Sequence, residues 1–135
     1  DYAKHIKAES MYHTPPVFPA YTSLLTLQWL KNLGGVAAIE KINNEKAALL
    51  YNEIDRNPLF RGTAAVEDRS NMNVTFLLND EAHKDTFDAM WKAANISGLP
   101  GHRSVGGYRA SIYNAMPIES VQVLVDVMKA LEAAV

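Results

Sequence analysis

The 135-residue chain has no cysteine. That excludes a disulfide framework, a thiolate nucleophile and a cysteine-ligated metal, and it fits a reducing cytoplasm. No apolar run approaches the roughly 18 residues needed to span a bilayer as a helix, and the opening DYAKHIKAES is polar rather than signal-like, so no membrane partner is expected. Lysines and arginines form no stripe, and with a formal net charge of -2 the chain has no long-range pull on nucleic acid. His5, His13, His83 and His102 lack HExxH or paired-ligand spacing, so no metal site is expected. There is no G-x-S-x-G elbow beside Ser104 or Ser111, no Lys-Ser/Thr ending after Gly106-Gly107, and no evident carboxylate pair among Asp68, Asp80 and the glutamates. Hydrolase and phosphate-loop chemistry are therefore not indicated.

What is present is ordinary globular material. Hydrophobic residues make up 48% and charged residues 21%, so disorder is excluded and one domain of this length can bury roughly two thirds of its extended surface. The chain opens at Asp1 without methionine, as a piece of a longer polypeptide would. Residues 1–14 are polar without a convincing period, and residues 1–16 are expected to be a linker or the remnant of an upstream element. Three prolines in HTPPVFP precede a helix starting near Phe18 or Pro19, with Tyr21, Leu24, Leu25, Leu27, Trp29 and Leu30 on a broad apolar surface and Gly34-Gly35 ending it. A second helix is expected from about Val36 to Ile54. Its inner side is Val36, Ile39, Ile42, Ala47, Leu50 and Ile54, and its outer side is Glu40, Lys41, Glu45, Lys46 and Glu53.

Asn57-Pro58 breaks that helix. A short strand in LFRGTA and a better one over Met72–Leu78 follow, the latter alternating Val74, Phe76 and Leu78 with Asn73, Thr75 and Leu77. Asn79-Asp80 starts a third helix bearing Phe87, Met90 and Trp91. Ile96–Leu99 reads as a further short strand, and Tyr108–Tyr113 as one pairing antiparallel with 72–78. Pro117 suits the first turn of a last helix with Val121, Leu124, Val125, Met128 and Leu131 at helical spacing. The sum over residues 17–135 is an α+β (two-layer) domain: a small, mainly antiparallel sheet with helices packed on one face.

The chemistry concentrates in GHRSVGGYRASIYNAMP, residues 101–117. His102, Arg103 and Arg109 surround a glycine pair, an anion-binding composition. On a straight strand Arg103 and Arg109 would lie roughly 20 Å apart, at about 3.3 Å per residue, further than a small ligand spans. Gly106 and Gly107 can adopt positive φ, fold the segment back and bring both guanidiniums towards a small ligand with two negative ends. Arginine holds a carboxylate or phosphate with two parallel hydrogen bonds, and histidine adds a donor near neutral pH. The same residues would equally serve as solvated surface charge.

GHRSVGGYRASIYNAMP resembles the C-terminal signature of phosphoserine aminotransferases, a GHR triplet, a Gly-Gly pair and an R-A-S-x-Y-N-A-M run in that order. MYHTPPVF is similar to the family's N-T-P-P segment, WLKNLGGVAAIEKINNEKAALLY to its helical region, and DRSNMNVTF to its R-S-x-M-N-V-x-F strand. The likeness covers nearly the whole chain, and only the part of the enzyme downstream of its larger cofactor domain.

The resemblance implies the C-terminal small domain of a fold-type I pyridoxal 5'-phosphate-dependent transaminase. The parent would be a cytoplasmic homodimer moving an amino group between L-glutamate and 3-phosphohydroxypyruvate to give O-phospho-L-serine and 2-oxoglutarate, in serine synthesis and in some bacteria pyridoxine synthesis. It assigns Arg109 to the substrate α-carboxylate, and His102 and Arg103 to the distal phosphate or the γ-carboxylate of glutamate. It assigns His13 and Thr14 to the cofactor phosphate of the partner subunit, with His13 standing where the family has asparagine. The Schiff-base lysine and the aspartate on the pyridine nitrogen belong upstream, so the chain alone is expected to be inactive. Two rivals stay open: another class V aminotransferase with a different acceptor, and a non-catalytic anion-binding module.

Overall fold

A computed structural model describes residues 1–135, which form two compact units, Asp1–Ala38 and Ile39–Val135. In the first unit a short helix α1 (Tyr2–Lys7) replaces the irregular segment expected there. Its start is fixed by Asp1, whose carboxylate accepts from the Ala3 N–H at 3.0 Å, a local signal that periodicity over so few residues misses. Glu9 and Ser10, both at positive φ, end it. Helix α2 (Val17–Leu33) begins after the two prolines with Pro19 in its first turn, where a missing N–H costs nothing. Its hydroxyls are satisfied locally, as where Thr22 and Ser23 donate to the Pro19 carbonyl at 3.0 and 2.8 Å. None of its residues is buried within this chain, and Phe18, Tyr21, Leu24, Leu25, Leu27 and Trp29 all face solvent. Gly34 closes it at φ 114°, and Gly35 opens the next helix.

Helix α3 (Gly35–Arg56) leads into the second unit. Strands β1 (Phe60–Gly62), β2 (Asn73–Leu78) and β3 (Tyr108–Ser111) form an antiparallel sheet in the order β1-β2-β3. The alternation expected along β2 is observed: Val74, Phe76 and Leu78 are buried while Asn73, Thr75 and Leu77 lie on the open face. A 3-10 turn capped by Asp80 precedes α4 (Lys84–Ala93), and α5 (Ile118–Ala134) starts just after Pro117, which takes the N-cap position. The sheet's inner face, α3, α4 and α5 share one core. At its centre the fully buried Phe76 meets the rings of Phe60, Phe87 and Tyr108 at centroid distances of 5.8, 6.4 and 5.3 Å. Truncating such a ring to alanine costs about 3–5 kcal/mol.

Three expectations need correction. Val36 is exposed and Ile42 only half-buried, while Lys46 and Glu53, expected outside, are buried. Both charges are held by specific partners: Lys46 by backbone carbonyls, Glu53 by Arg56 and Asn57 at 2.8 and 3.0 Å. The Ile96–Leu99 segment is not a strand. Asn95 and Gly98 take φ of 58° and 71°, which interrupts any ladder, and only Pro100 bridges to Tyr108.

Candidate anion site

The glycine-rich stretch folds back as its composition requires. Residues 99–101 run antiparallel to 107–109, joined by Gly101 N–H to Gly107 C=O at 2.8 Å and Arg109 N–H to Leu99 C=O at 2.7 Å. Residues 102–106 form the loop between them, closed on itself by Val105 and Gly106 N–H groups donating to the His102 carbonyl at 3.0 and 2.8 Å. Gly106 and Gly107 have φ of 75° and 65°. A Cβ at Gly107 would collide with Leu77 Cδ2 and stand 2.9 Å from the Phe76 carbonyl oxygen, and one at Gly101 would overlap the Gly106 carbonyl. The loop thus needs glycine for space as well as for backbone angle.

His102 and Arg103 sit exposed at the start of the loop, and Arg109 is exposed on the open face of β3, opposite Thr75 of β2. The Ser104 N–H donates to His102 Nδ1 at 3.3 Å, with Ser104 Oγ 2.8 Å from the same nitrogen. A backbone N–H can only donate, so Nδ1 is the acceptor of this bond and Nε2, which has no partner, is the ring's free donor.

The five arginines divide sharply. Arg56 is paired with Glu53 and Glu132; Arg69 is paired twice with Asp55 at 2.7 Å and lies 4.5 Å over the Tyr51 ring; Arg61 donates to Asn79 and the Leu78 carbonyl. The Arg69 hydrogen bonds in turn hold the Asp55 carboxyl below the usual carboxylate range. Arg103 and Arg109 make neither an ion pair nor a side-chain hydrogen bond within the chain. Among the arginines these two guanidiniums are the ones left over for an external anion, with the His102 ring beside Arg103 on the same loop.

Sequence reasoning missed what holds the far end of β3. Lys46 of α3 is fully buried and donates to the carbonyls of Ile112, Tyr113 and Met116 at 3.1, 2.7 and 3.1 Å. One turn earlier Asn43 donates to Asn114 Oδ1 at 2.8 Å. Together they pin the turn between the arginine strand and α5. The signal was available: Asn43 and Lys46 fall on the same helical face as Ile39, Ala47 and Leu50.

His13 and Thr14 belong to the first unit. Both are exposed, and the His13 ring packs against Tyr12 and His5 at centroid distances of 5.0 and 5.4 Å. Thr14 does not cap α2. Pro16 occupies that position and no side chain bonds the helix's first N–H groups, so the Thr14 hydroxyl, the His13 ring and an uncapped helix end suit a phosphate.

Residues 1–124 match the family model "Aminotransferase class-V". The chain is 80% identical over its whole length to a phosphoserine aminotransferase of Flavobacterium johnsoniae, and 58% identical over 98% of its length to one of Parabacteroides distasonis; it spans 38% of each. Among solved structures it overlays phosphoserine aminotransferase from Bacillus circulans subsp. alkalophilus with a TM-score of 0.89 at 40% identity, covering 98% of this chain and 37% of that one. It overlays a pyridoxal-phosphate-bound phosphoserine aminotransferase from Trichomonas vaginalis with a TM-score of 0.83 at 39% identity, covering 96% and 37%. The chain therefore spans little more than a third of the relatives it matches.

Proposed function

The chain belongs to the class V aminotransferase family, and from that premise we propose that it is the C-terminal small domain of a phosphoserine aminotransferase, residues 17–135 forming the domain and 1–16 its link to a cofactor domain. The reaction is amino transfer between L-glutamate and 3-phosphohydroxypyruvate, giving O-phospho-L-serine and 2-oxoglutarate. The observation that carries this reading is the selective vacancy of Arg103 and Arg109: three arginines of five are tied down internally, and the two beside the self-closed glycine loop are not. A substrate with a carboxylate at one end and a phosphate at the other matches two forked cations and a histidine donor. Arg109, on a strand, fixes the α-carboxylate. Arg103 and His102, on the loop, take the distal phosphate or the γ-carboxylate of glutamate. Holding both ends converts a loose encounter into an oriented one, which is the domain's contribution to rate.

Pyridoxal 5'-phosphate, when bound, supplies the electron sink on which amino transfer depends. In this chain Thr14 and His13 would hold its phosphate, across the interface of a cytoplasmic homodimer, a compartment that the lack of cysteine supports. The lysine that carries the cofactor is assigned to the rest of the protein: Lys46, the one buried lysine, has all three of its protons engaged by carbonyls. Steady-state kinetics of the full-length protein tests the assignment. Arg109→Ala should reduce kcat/KM for every substrate, by roughly 10- to 1000-fold if one charge-assisted contact is worth about 1.5–3 kcal/mol and some positioning is lost with it. Arg103→Ala should reduce it more for 3-phosphohydroxypyruvate than for its unphosphorylated analogue. Equal losses on both acceptors would remove Arg103 from the phosphate end.

A further inference from the structure

Arg109 carries its guanidinium on the open face of β3 with neither an ion pair nor a side-chain hydrogen bond inside the chain. Its aim is therefore set by the backbone beneath it, and a binding group is only as accurate as the shell that supports it. At the neck formed by residues 99–101 and 107–109, Gly101 and Gly107 have no side chain and Pro100 is exposed, so Leu99 and Tyr108 are the two that reach into the core. Leu99 buries apolar surface, which has no preferred direction. Tyr108, the residue before Arg109, is directional. Its ring is 5% exposed, stacked on Phe76 at a centroid distance of 5.3 Å and met edge-on by Phe87 at 5.0 Å. A phenylalanine would fill the same space, so the hydroxyl is the informative part. A buried phenol needs a partner, and this one donates to Asp88 Oδ1 on α4 at 2.9 Å.

That oxygen is itself held in place. Trp91 Nε1 donates to it at 2.9 Å from a buried indole, and Lys84 Nζ donates to the other carboxylate oxygen at 2.7 Å. The Tyr108–Asp88 bond is the one side-chain hydrogen bond between the neck and a helix. A rigid ring packed against two others and fixed at its hydroxyl leaves its own Cα little freedom, and the Arg109 N–H, bonded to the Leu99 carbonyl at 2.7 Å, carries that constraint one residue further. We propose that Asp88 is a positioning residue for the anion site, acting through Tyr108 to fix where Arg109 presents its guanidinium. The role rests on the assignment of Arg109 to the substrate α-carboxylate.

Kinetics and thermal unfolding of the full-length protein with its cofactor bound test it. Tyr108→Phe keeps the ring and removes only the hydroxyl, so Asp88 still receives Lys84 and Trp91. It should lower kcat/KM about 3- to 10-fold, the net worth of one hydrogen bond, for glutamate and for 3-phosphohydroxypyruvate alike, since both present an α-carboxylate. Asp88→Asn keeps an oxygen that can accept from Tyr108 and should recover most of what Asp88→Ala loses. The decisive comparison places Tyr108→Phe in an Arg109→Ala background. There it should change kcat/KM by less than about twofold, while its drop in Tm stays the same as in the wild-type background; coupling in activity without coupling in stability separates a positioning role from a merely structural one. An unchanged kcat/KM in Tyr108→Phe overturns the inference, and so does an equal fold loss with and without Arg109. The glutamate half-reaction, measured by itself, keeps the two readings apart. Coupled losses there, in a parent that does not turn over 3-phosphohydroxypyruvate, support the inference and defeat only the assigned acceptor; phosphoserine formation that Tyr108→Phe leaves unchanged defeats the inference alone. Full glutamate activity in Arg109→Ala removes the α-carboxylate assignment and this inference with it.

Discussion

Replacing Lys46 with methionine isolates the contribution of a single buried ammonium. Methionine keeps helix propensity and comparable volume in α3, so the perturbation is the loss of three donors. The bond to the Ile112 carbonyl is buried throughout, whereas those to Tyr113 and Met116 are only partly shielded. A stranded buried carbonyl costs about 1–3 kcal/mol, and two that can recruit water lose about 0.5–1.5 kcal/mol each. Against this stands the cost of burying the ammonium, which pushes the Lys46 pKa below the ordinary lysine value and which methionine relieves. The net expectation is a loss of about 2–4 kcal/mol, against about 0.5 kcal/mol or less for a solvated lysine. Equilibrium urea unfolding of the two chains measures it, with an unchanged slope required for the comparison. The sign with pH also follows. A depressed folded pKa means that the unfolded chain holds more protons between that value and about 10.4, so wild type should gain on the variant as pH rises through this window. A loss below about 0.5 kcal/mol would refute the reasoning, since it would mean that the three carbonyls find water as readily as the ammonium.

Two further outcomes are expected. Gly107→Ala, strained by its φ and colliding with Leu77 and Phe76, should destabilise by more than about 2 kcal/mol, whereas Gly106→Ala, at similar φ but in open space, should cost about 1 kcal/mol; thermal unfolding of the pair reads the difference. Burial raises the Asp88 carboxyl pKa, but hydrogen bonds from Lys84, Trp91 and Tyr108 at 2.7, 2.9 and 2.9 Å outweigh it and hold it below the usual range. That stability is present above about pH 4 and lost as pH falls through the lower folded value, so the gap between wild type and Asp88→Asn should narrow on acidification, followed by Trp91 fluorescence.

The strand β2 and the helices α2, α3 and α5 could be read from the chain because each has a long or clean period and an explicit stop, such as Gly34 or Asn57-Pro58. The Asp1-capped α1 could not, because its cap is one residue and its period too short to register. The 96–99 error has a related source: apolar character suggested a strand, but Asn95 and Gly98 take positive φ, which the apolar pattern does not report. At the candidate site, residue types and the glycine turn pointed to His102, Arg103 and Arg109. Which arginines remain unpaired could not be read, since Asp55 meets Arg69 and Glu132 meets Arg56 only through folding. Charge alone sent Lys46 and Glu53 outside, although their positions on the helix wheel sent them in.

The loop at residues 102–106 is tied off at its neck by two main-chain bonds, braced by glycines, and linked internally where the His102 ring meets Ser104. Its tip is thereby mechanically insulated from the sheet, like a cassette clipped into a frame. Substitutions at Arg103 and Val105, both exposed on that tip, should therefore change the charge and shape that the loop presents while leaving the hydrophobic interior untouched.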